Sequence, residues 1–371
     1  MSDEIVKPLI YKGRAANSNV VSRFDSHTRE ALDDGWGTLD EDAPPLRTEV
    51  MLDSAKSVIN YINSPDIPFD RTINPYRGCE HGCIYCYARP SHAYLGFSPG
   101  LDFESRLLMK QNAADLLRQE LAKKNYRCAP IALGMNTDAY QPIEREYQLT
   151  RQIIQVLAEA KHPFTLVTKS ALVERDLDLI APMAEQGLVS IWLTITSLDR
   201  QVARRLEPRA AAPERRLQTL ARLAEAGVPC GVMVAPVIPA LTDHMLEQII
   251  EAAYQQGVRR AGYVFLRLPL EIHELFEQWL QQYFPLKAQH VMSLIRQSRG
   301  GKAYQSEFGK RMVGEGIFAE LLAQRFKRVC QQFEMQGERL DLNTALFQVP
   351  AHWQEQAKAA RVKDTPQGSL F

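Results

Sequence analysis

The chain has no apolar run approaching the roughly 18 residues that a membrane-crossing helix needs. Its first residues, MSDEIVKPLIYKGRAANSN, lack the basic-then-apolar order of a signal peptide, which predicts a cytoplasmic protein with no membrane partner. Neither sign of charge prevails. Lys+Arg and Asp+Glu stand at 44 each in 371 residues, so no global field advertises a nucleic acid or a lipid surface. Any such partner must be met by a local patch. No internal repeat or low-complexity tract interrupts the chain, and with 45% hydrophobic residues it can bury a substantial core. Cysteine is scarce: the six present are too few for the disulfide framework of a small secreted domain.

What is present is an alternation. Short β-branched runs occur at 72–74, 131–133, 164–168, 189–196, 229–234 and 262–266. Between them lie stretches with apolar residues at three-and-four spacing: Leu107/Leu108/Leu116/Leu117/Leu121, Ile153/Ile154/Val156/Leu157, Leu177/Leu179/Ile180/Met183 and Leu217/Leu220/Leu223. Strand-then-helix repetition predicts right-handed βαβ units and a parallel sheet. Six strands are two short of a full eight-stranded barrel, and residues 273–335 read as helical instead (Leu275/Phe276/Trp279/Leu280, then Ile317/Leu321/Leu322/Phe326). The expected fold class is therefore α/β, a six-strand partial barrel with an N-terminal extension and C-terminal helices. The expected units are an extended polar arm over 1–50, the barrel over 51–272, a helical part over 273–340 and a loosely structured tail over 341–371. The arm carries Asp33-Asp34, Asp40-Glu41-Asp42 and Pro44-Pro45.

Three of the six cysteines fall within eight residues: Cys79, Cys83 and Cys86, in Asn74-Pro75-Tyr76-Arg77-Gly78-Cys79-Glu80-His81-Gly82-Cys83-Ile84-Tyr85-Cys86-Tyr87-Ala88. Gly78 and Gly82 permit the tight wrap that three thiolates on one small object require. Three thiolates on a [4Fe-4S] cluster leave one iron without a protein ligand, open to a small molecule. The alternatives are a Cys₃His zinc site completed by His81 or His92, and plain structural cysteines. Structural zinc sites usually pair two short knuckles, and no second knuckle follows. Glu80 and His81 are expected to face solvent. Cys128, Cys230 and Cys330 are scattered and read as small core residues.

Cysteines so spaced, after a first short strand and with an aromatic before the third, resemble the radical S-adenosylmethionine superfamily. The wider segment is similar to its spore photoproduct lyase-like branch, often labelled DNA repair photolyase-related, and within it to an uncharacterised bacterial group. The resemblance covers residues 45–335 and implies a partial (β/α)6 barrel with the cluster near one end of the sheet. It further implies that S-adenosyl-L-methionine chelates the open iron. An electron from a donor such as flavodoxin or ferredoxin would then yield methionine and a 5′-deoxyadenosyl radical.

Ligands of parallel sheets sit at the carboxyl ends of strands. The second strand is followed by Gly134-Met135-Asn136-Thr137-Asp138-Ala139-Tyr140-Gln141-Pro142. The Gly-Gly-Glu-type motif common in the superfamily is absent there. Asn136, Thr137 and Asp138 supply acceptors for the cofactor's ammonium, and the branch resembles this with a Ser/Thr-Asp pair. The other reading makes Asp138 or Gln141 an N-cap for a helix from Pro142. Lys169 ends the third strand, where the family implies a partner for the cofactor carboxylate; the alternative is a solvated surface lysine. Trp192, Thr194 and Thr196 share one strand face. Arg209 and Arg267 lie near other strand ends, as cofactor or phosphate contacts or in plain salt bridges. Tyr85 and Tyr87 flank Cys86 as two tyrosines do in spore photoproduct lyases, where one serves in radical relay; stacking on adenine also explains the first. Those lyases place a hydrogen-donor cysteine after the second strand, but Ala132–Gln141 contains none, and Met135 occupies that neighbourhood.

Residues 287–328 hold nine Lys/Arg (Lys287, Arg296, Arg299, Lys302, Lys310, Arg311, Arg325, Lys327, Arg328) against three acids, a local excess of six. The stretch Ser298-Arg299-Gly300-Gly301-Lys302-Ala303-Tyr304 mixes cations, glycines and an aromatic, as a grip on phosphate and base would. The alternative is a solvated helical face. Three functions follow: radical chemistry on a nucleic-acid base, radical chemistry on a peptide or small molecule, or a non-enzymatic metal-bearing nucleic-acid-binding protein.

Overall fold

The computed structural model describes residues 11–25, 46–335 and 341–353. Its strands are β1 (Glu49–Leu52), β2 (Ile59–Tyr61), β3 (Arg71–Ile73), β4 (Tyr76–Arg77), β5 (Arg106–Met109), β6 (Ile131–Leu133), β7 (Phe164–Thr168), β8 (Val189–Thr194), β9 (Cys230–Val237) and β10 (Ala261–Phe265). Its α-helices are α1 (Leu101–Ser105), α2 (Ala113–Leu121), α3 (Glu144–Tyr147), α4 (Leu149–Glu159), α5 (Leu177–Glu185), α6 (Arg200–Leu206), α7 (Pro213–Glu225), α8 (Leu246–Gln255), α9 (Ile272–Tyr283), α10 (Pro285–Gln297) and α11 (Gly316–Gln332).

The main sheet has seven strands in the order β10-β9-β8-β7-β6-β3-β2. Six are the strands read from the sequence, all parallel: β3 with β6, β6 with β7, β7 with β8, β8 with β9, and β9 with β10. Among the described residues β10 pairs only with β9 and β2 only with β3, so the sheet stays open as a partial barrel. Every residue of β6 and all but one of β8 are buried, the continuous apolar pattern of strands covered on both faces. On β8 the exception is Trp192. A Cβ on Gly231 of the neighbouring strand would lie 2.5 Å from its ring, so the indole lies flat against a strand that has no side chain there.

Three expectations are corrected. Leu107 and Leu108 belong to β5, not to a helix; β5 runs parallel to β1 and antiparallel to β4 in a small second sheet, and the helix begins at Ala113. Residues 11–25, expected in an extended arm, pack: Ala15 and Ala16 are buried, and Arg14 reaches into the interior. The acidic clusters and Pro44-Pro45 lie outside the described residues. Residues 341–353 of the expected loose tail also lie on the core. There Asn343 N donates to Gly187 O, Gln348 N donates to Ala160 O, and Trp353 is buried.

His162, fully buried between α4 and β7, donates from Nδ1 to Pro163 O (2.9 Å) and accepts at Nε2 from the Tyr126 hydroxyl (2.7 Å). Burial lowers its pKa from 6.5 to about 4. The unfolded chain therefore binds the extra proton first. The stabilisation is complete above pH ~6.5 and is lost as pH falls towards ~4, on the order of 3 kcal/mol for this group. Urea midpoints of the wild type are expected to fall across this window, and those of His162→Phe to fall less steeply.

Candidate active site

The chain leaves β3, forms β4 and turns at Gly78 into the cysteine loop. Gly78 has φ +76°, and a Cβ there would lie 2.5 Å from Leu107 Cδ2 and 2.9 Å from Phe103 O. Gly82 has φ +66°, with Glu104 Oε2 2.6 Å from where a Cβ would be. Both positions demand glycine for space and backbone alike. Gly82 N donates to Cys79 O and Cys86 N to Cys83 O, each at 3.2 Å, so the loop is two successive turns. Cys79 and Cys83 are buried and Cys86 is half-buried. Burial pushes all three thiols up, Cys83 to about 12, with Lys169 pulling that one back.

Beneath the loop lies an ion pair that no feature of the sequence predicts. Arg89 and Glu104 form a salt bridge with both side chains fully buried. The Arg89 guanidinium also donates to Cys83 O (2.9 Å), Gly82 O (3.2 Å), Pro99 O (3.0 Å) and Gly100 O (2.9 Å). The Glu104 carboxylate accepts from Ala15 N (3.1 Å) and Ala16 N (3.0 Å). Arg14 donates to Glu104 O, Leu46 O and Thr48 Oγ1. Thr48 in turn donates to Glu80, which also pairs with Arg209 at 3.1 Å. Glu80 and His81 are thus buried, against the expectation that they face solvent. Glu80 closes the back of the loop, and His81 Nδ1 lies 3.2 Å from Asp138 Oδ2. Arg209 is in the plain salt bridge that was its alternative reading.

The loop after β6 laces onto the cysteine loop. Gln141 accepts from Glu80 N (2.8 Å) and donates to Gly78 O (3.2 Å), Asn136 N donates to Asn74 Oδ1 (2.8 Å), and Thr137 Oγ1 donates to Tyr76 O (3.4 Å). Asp138 accepts from Thr168 Oγ1 (2.7 Å), Lys169 N (2.8 Å) and Tyr140 N (2.9 Å). Burial alone would raise its pKa, but His81 and these donors hold it well below the usual carboxylate range. The N-cap alternative fails for both residues: the helix after this loop starts at Glu144, and Gln141 serves the cysteine loop. Asn136 Nδ2 donates to Ser91 Oγ (3.2 Å), and among the described residues nothing donates to its Oδ1.

At the ends of β7 and β8, Lys169 faces the loop without an ion pair among the described residues, its Nζ 5.9 Å from the Tyr85 ring centre. Burial opposes its charge, yet Cys83, Glu207 and Asp138 outweigh that and raise its pKa. Tyr85 is buried and donates to Glu207, which also receives Thr196 Oγ1 (2.6 Å) and the buried Arg216. Arg216 reaches the backbone oxygen of Thr194 at 2.8 Å. Thr194 and Thr196 are both buried, but β8 ends at Thr194, so Thr196 lies beyond the strand and not on a face shared with it. Tyr87 differs from Tyr85: it is 47% exposed, and its hydroxyl donates to Met135 O. Sequence reasoning missed Arg89, Glu104, Glu207 and Arg216. Of these only Arg89, three residues past Cys86, carried a positional signal.

Much of the basic segment is paired within the chain, partly in the interior and partly at the surface. Arg299 is buried on the carbonyls of Leu266, Lys310 and Arg311, so it does not grip phosphate. Arg311 pairs with Asp66, Arg325 with Glu247, Lys310 with Glu307 and Glu315, and Arg296 with Glu277. Lys287, Lys302, Lys327 and Arg328 are without an acidic partner among the described residues.

Three thiols on one loop are a donor set that an iron–sulfur cluster takes, each thiolate on a different iron. Among the described residues no three His, Cys, Asp or Glu side chains converge to hold one metal ion. His92 Nε2 donates to Arg106 O at 2.9 Å, and burial lowers this residue's pKa to about 4; the ring belongs to the packing around Phe103. The family model described as the Radical SAM superfamily matches residues 73–253, from the end of β3 through α8. The chain belongs to this superfamily. An uncharacterised protein of Mycobacterium tuberculosis strain H37Rv is 38% identical over 244 residues, 65% of this chain and 72% of that protein. Another, from Methanocaldococcus jannaschii, is 29% identical over 239 residues, 64% and 85% of the two chains. Among solved structures, a mutant spore photoproduct lyase superposes with a TM-score of 0.54 at 18% identity, covering 76% of this chain and 78% of that one. The same lyase complexed with a dinucleoside spore photoproduct gives 0.53 at 17%, covering 76% and 79%. The fold is thus spore photoproduct lyase-like, and superfamily membership implies an iron–sulfur cluster and S-adenosylmethionine.

Gly82→Ala tests the loop. Glu104 cannot yield to the new methyl because its carboxylate is committed to Ala15, Ala16 and Arg89. A positive-φ penalty adds to the clash, so the variant is expected to lose about 2 kcal/mol or more. Its iron content after anaerobic reconstitution should fall well below that of the wild type.

Proposed function

We propose that the protein is a radical enzyme that holds a [4Fe-4S] cluster on Cys79, Cys83 and Cys86 and acts on a nucleic-acid base. The observation that carries the reading is the set of three neighbouring, desolvated thiols on a glycine-turned loop at the carboxyl end of β3. Such thiols are unfavourable as bare thiolates, and a cationic cluster would stabilise them. When bound, the cluster and S-adenosylmethionine supply a 5′-deoxyadenosyl radical, given one electron from a donor such as flavodoxin or ferredoxin. Lys169 is suited to the cofactor's carboxylate, being cationic and without an ion pair. Asn136 Oδ1 is suited to its ammonium, because Asp138 and Thr137 are already engaged by protein donors. Asp138 instead orients His81 and the backbone at Lys169. Tyr85, fixed by Glu207 and Thr196, offers a rigid ring beside Cys86. Tyr87 is the exposed tyrosine and faces outward to substrate. Hydrogen return from a cysteine after β6 is not part of the proposal, since none is present there.

A nucleic-acid substrate is supported by the fold shared with a lyase solved with a dinucleoside photoproduct. The pairing of six basic residues in 287–328 with acids or carbonyls, Lys287 on Ala240 O among them, favours the second reading, a peptide or small molecule. If only Lys302, Lys327 and Arg328 meet phosphates, single-strand binding should show a log–log salt slope of about −2. A slope near zero would leave the small-molecule reading.

The radical reading is tested by reducing the anaerobically reconstituted protein with dithionite and measuring 5′-deoxyadenosine. The wild type should produce it, and Cys83→Ala should fall to background. Equal yields would end the reading.

A further inference from the structure

Arg267 follows β10 at its carboxyl end, and its guanidinium carbon stands 5.2 Å over the Tyr87 ring centre. Its own bonds are poor. Nη1 points to Met312 Sδ (3.3 Å) and Nη2 to the Tyr304 hydroxyl (3.4 Å), while Nε is buried with no partner. Among the described residues no carboxylate pairs with it. Asp66 feels its charge, but Asp66 is taken by Arg311 and by Gly309 N (2.7 Å). A second guanidinium, Arg299, is bonded to three carbonyls, one of them that of Leu266 next to Arg267, and among the described residues it too has no paired acid. Burial first, and then repulsion from Arg267, lowers its pKa to about 10. Two guanidinium groups that repel each other, neither in an ion pair among the described residues, favour the arrival of a counter-anion.

We propose that Arg267 binds a phosphate oxyanion of the substrate, with Tyr87 presenting its exposed ring to the attached base. Phosphate suits the planar fork of the guanidinium, which can donate two bonds to it where sulfur and phenol now give weak ones. The ring half-exposed beside a free cation is the pairing by which single-stranded nucleic acids and nucleotides are held. The site lies at the same sheet end as the cysteine loop, so a phosphate there would deliver its base towards Cys86 and Lys169. The inference deepens the nucleic-acid reading and rests on it for its biological meaning, but binding needs neither reduction nor turnover.

The test is fluorescence anisotropy of the reconstituted, unreduced protein with a labelled single-stranded deoxyoligonucleotide, in phosphodiester and uncharged methylphosphonate forms. A nucleoside monophosphate serves as competitor. The wild type is expected to prefer the phosphodiester, and Arg267→Gln to lower its affinity about tenfold while leaving the methylphosphonate unchanged. Arg267→Lys, which keeps the charge without the fork, should fall between them and serves if the glutamine variant fails to fold. Competition by the monophosphate assigns the anion to a single nucleotide, and its absence assigns it to a strand. A wild type without preference between the two backbones, or an Arg267→Lys or Arg267→Gln variant that binds the phosphodiester as the wild type does, overturns the proposal. Deoxyadenosine formation by the wild type, measured separately, shows whether the radical reading stands or falls.

Discussion

The buried Arg89–Glu104 pair is the interaction on which the cysteine loop depends. One guanidinium collects four backbone carbonyls from the loop and from the segment leading into α1, and one carboxylate collects the amides of the N-terminal segment. Each charge is tolerated in the interior because the other is there. Deleting either would strand its partner, which typically costs about 3–5 kcal/mol. The same pair explains why residues 11–25 pack although their composition is polar. Their amides are among the donors that Glu104 requires, so the N-terminal segment belongs to the scaffold of the thiols.

Around that anchor the polar side chains divide into those consumed by the protein and those left over. Glu80, His81, Thr137, Asp138, Gln141, Glu207 and Arg216 are bonded to one another or to backbone, and they fix loops to strand ends. Among the described residues left without a strong partner are Asn136 Oδ1, Lys169 Nζ and Arg267. All three lie at the carboxyl ends of strands. A site that is rigid in its support and unsatisfied at a few points is preorganised for ligands that satisfy them.

The sheet was legible because its strands are buried on both faces and therefore read as unbroken apolar runs between amphipathic helices. β1, β2, β4 and β5 were not, being two to four residues long, and Leu107 and Leu108 fit a helical period as well as a strand. The thiols were legible from spacing alone. Their support was not: Glu104 sits in Leu-Asp-Phe-Glu-Ser, where nothing marks an acid for burial. The six excess charges of 287–328 were real in composition, but their partners Asp66, Glu247 and Glu277 are distant in sequence. Local counting could not see them.

Trp192 has a consequence for how two neighbouring strands can vary. Its indole lies flat against the bare backbone of Gly231, whose added Cβ would stand 2.5 Å from the ring. No side chain fits at position 231 while the indole is there, so the large residue of β8 and the missing one of β9 form a single unit of shape. A change at either position drags the other with it, and the register of the two strands is pinned between them.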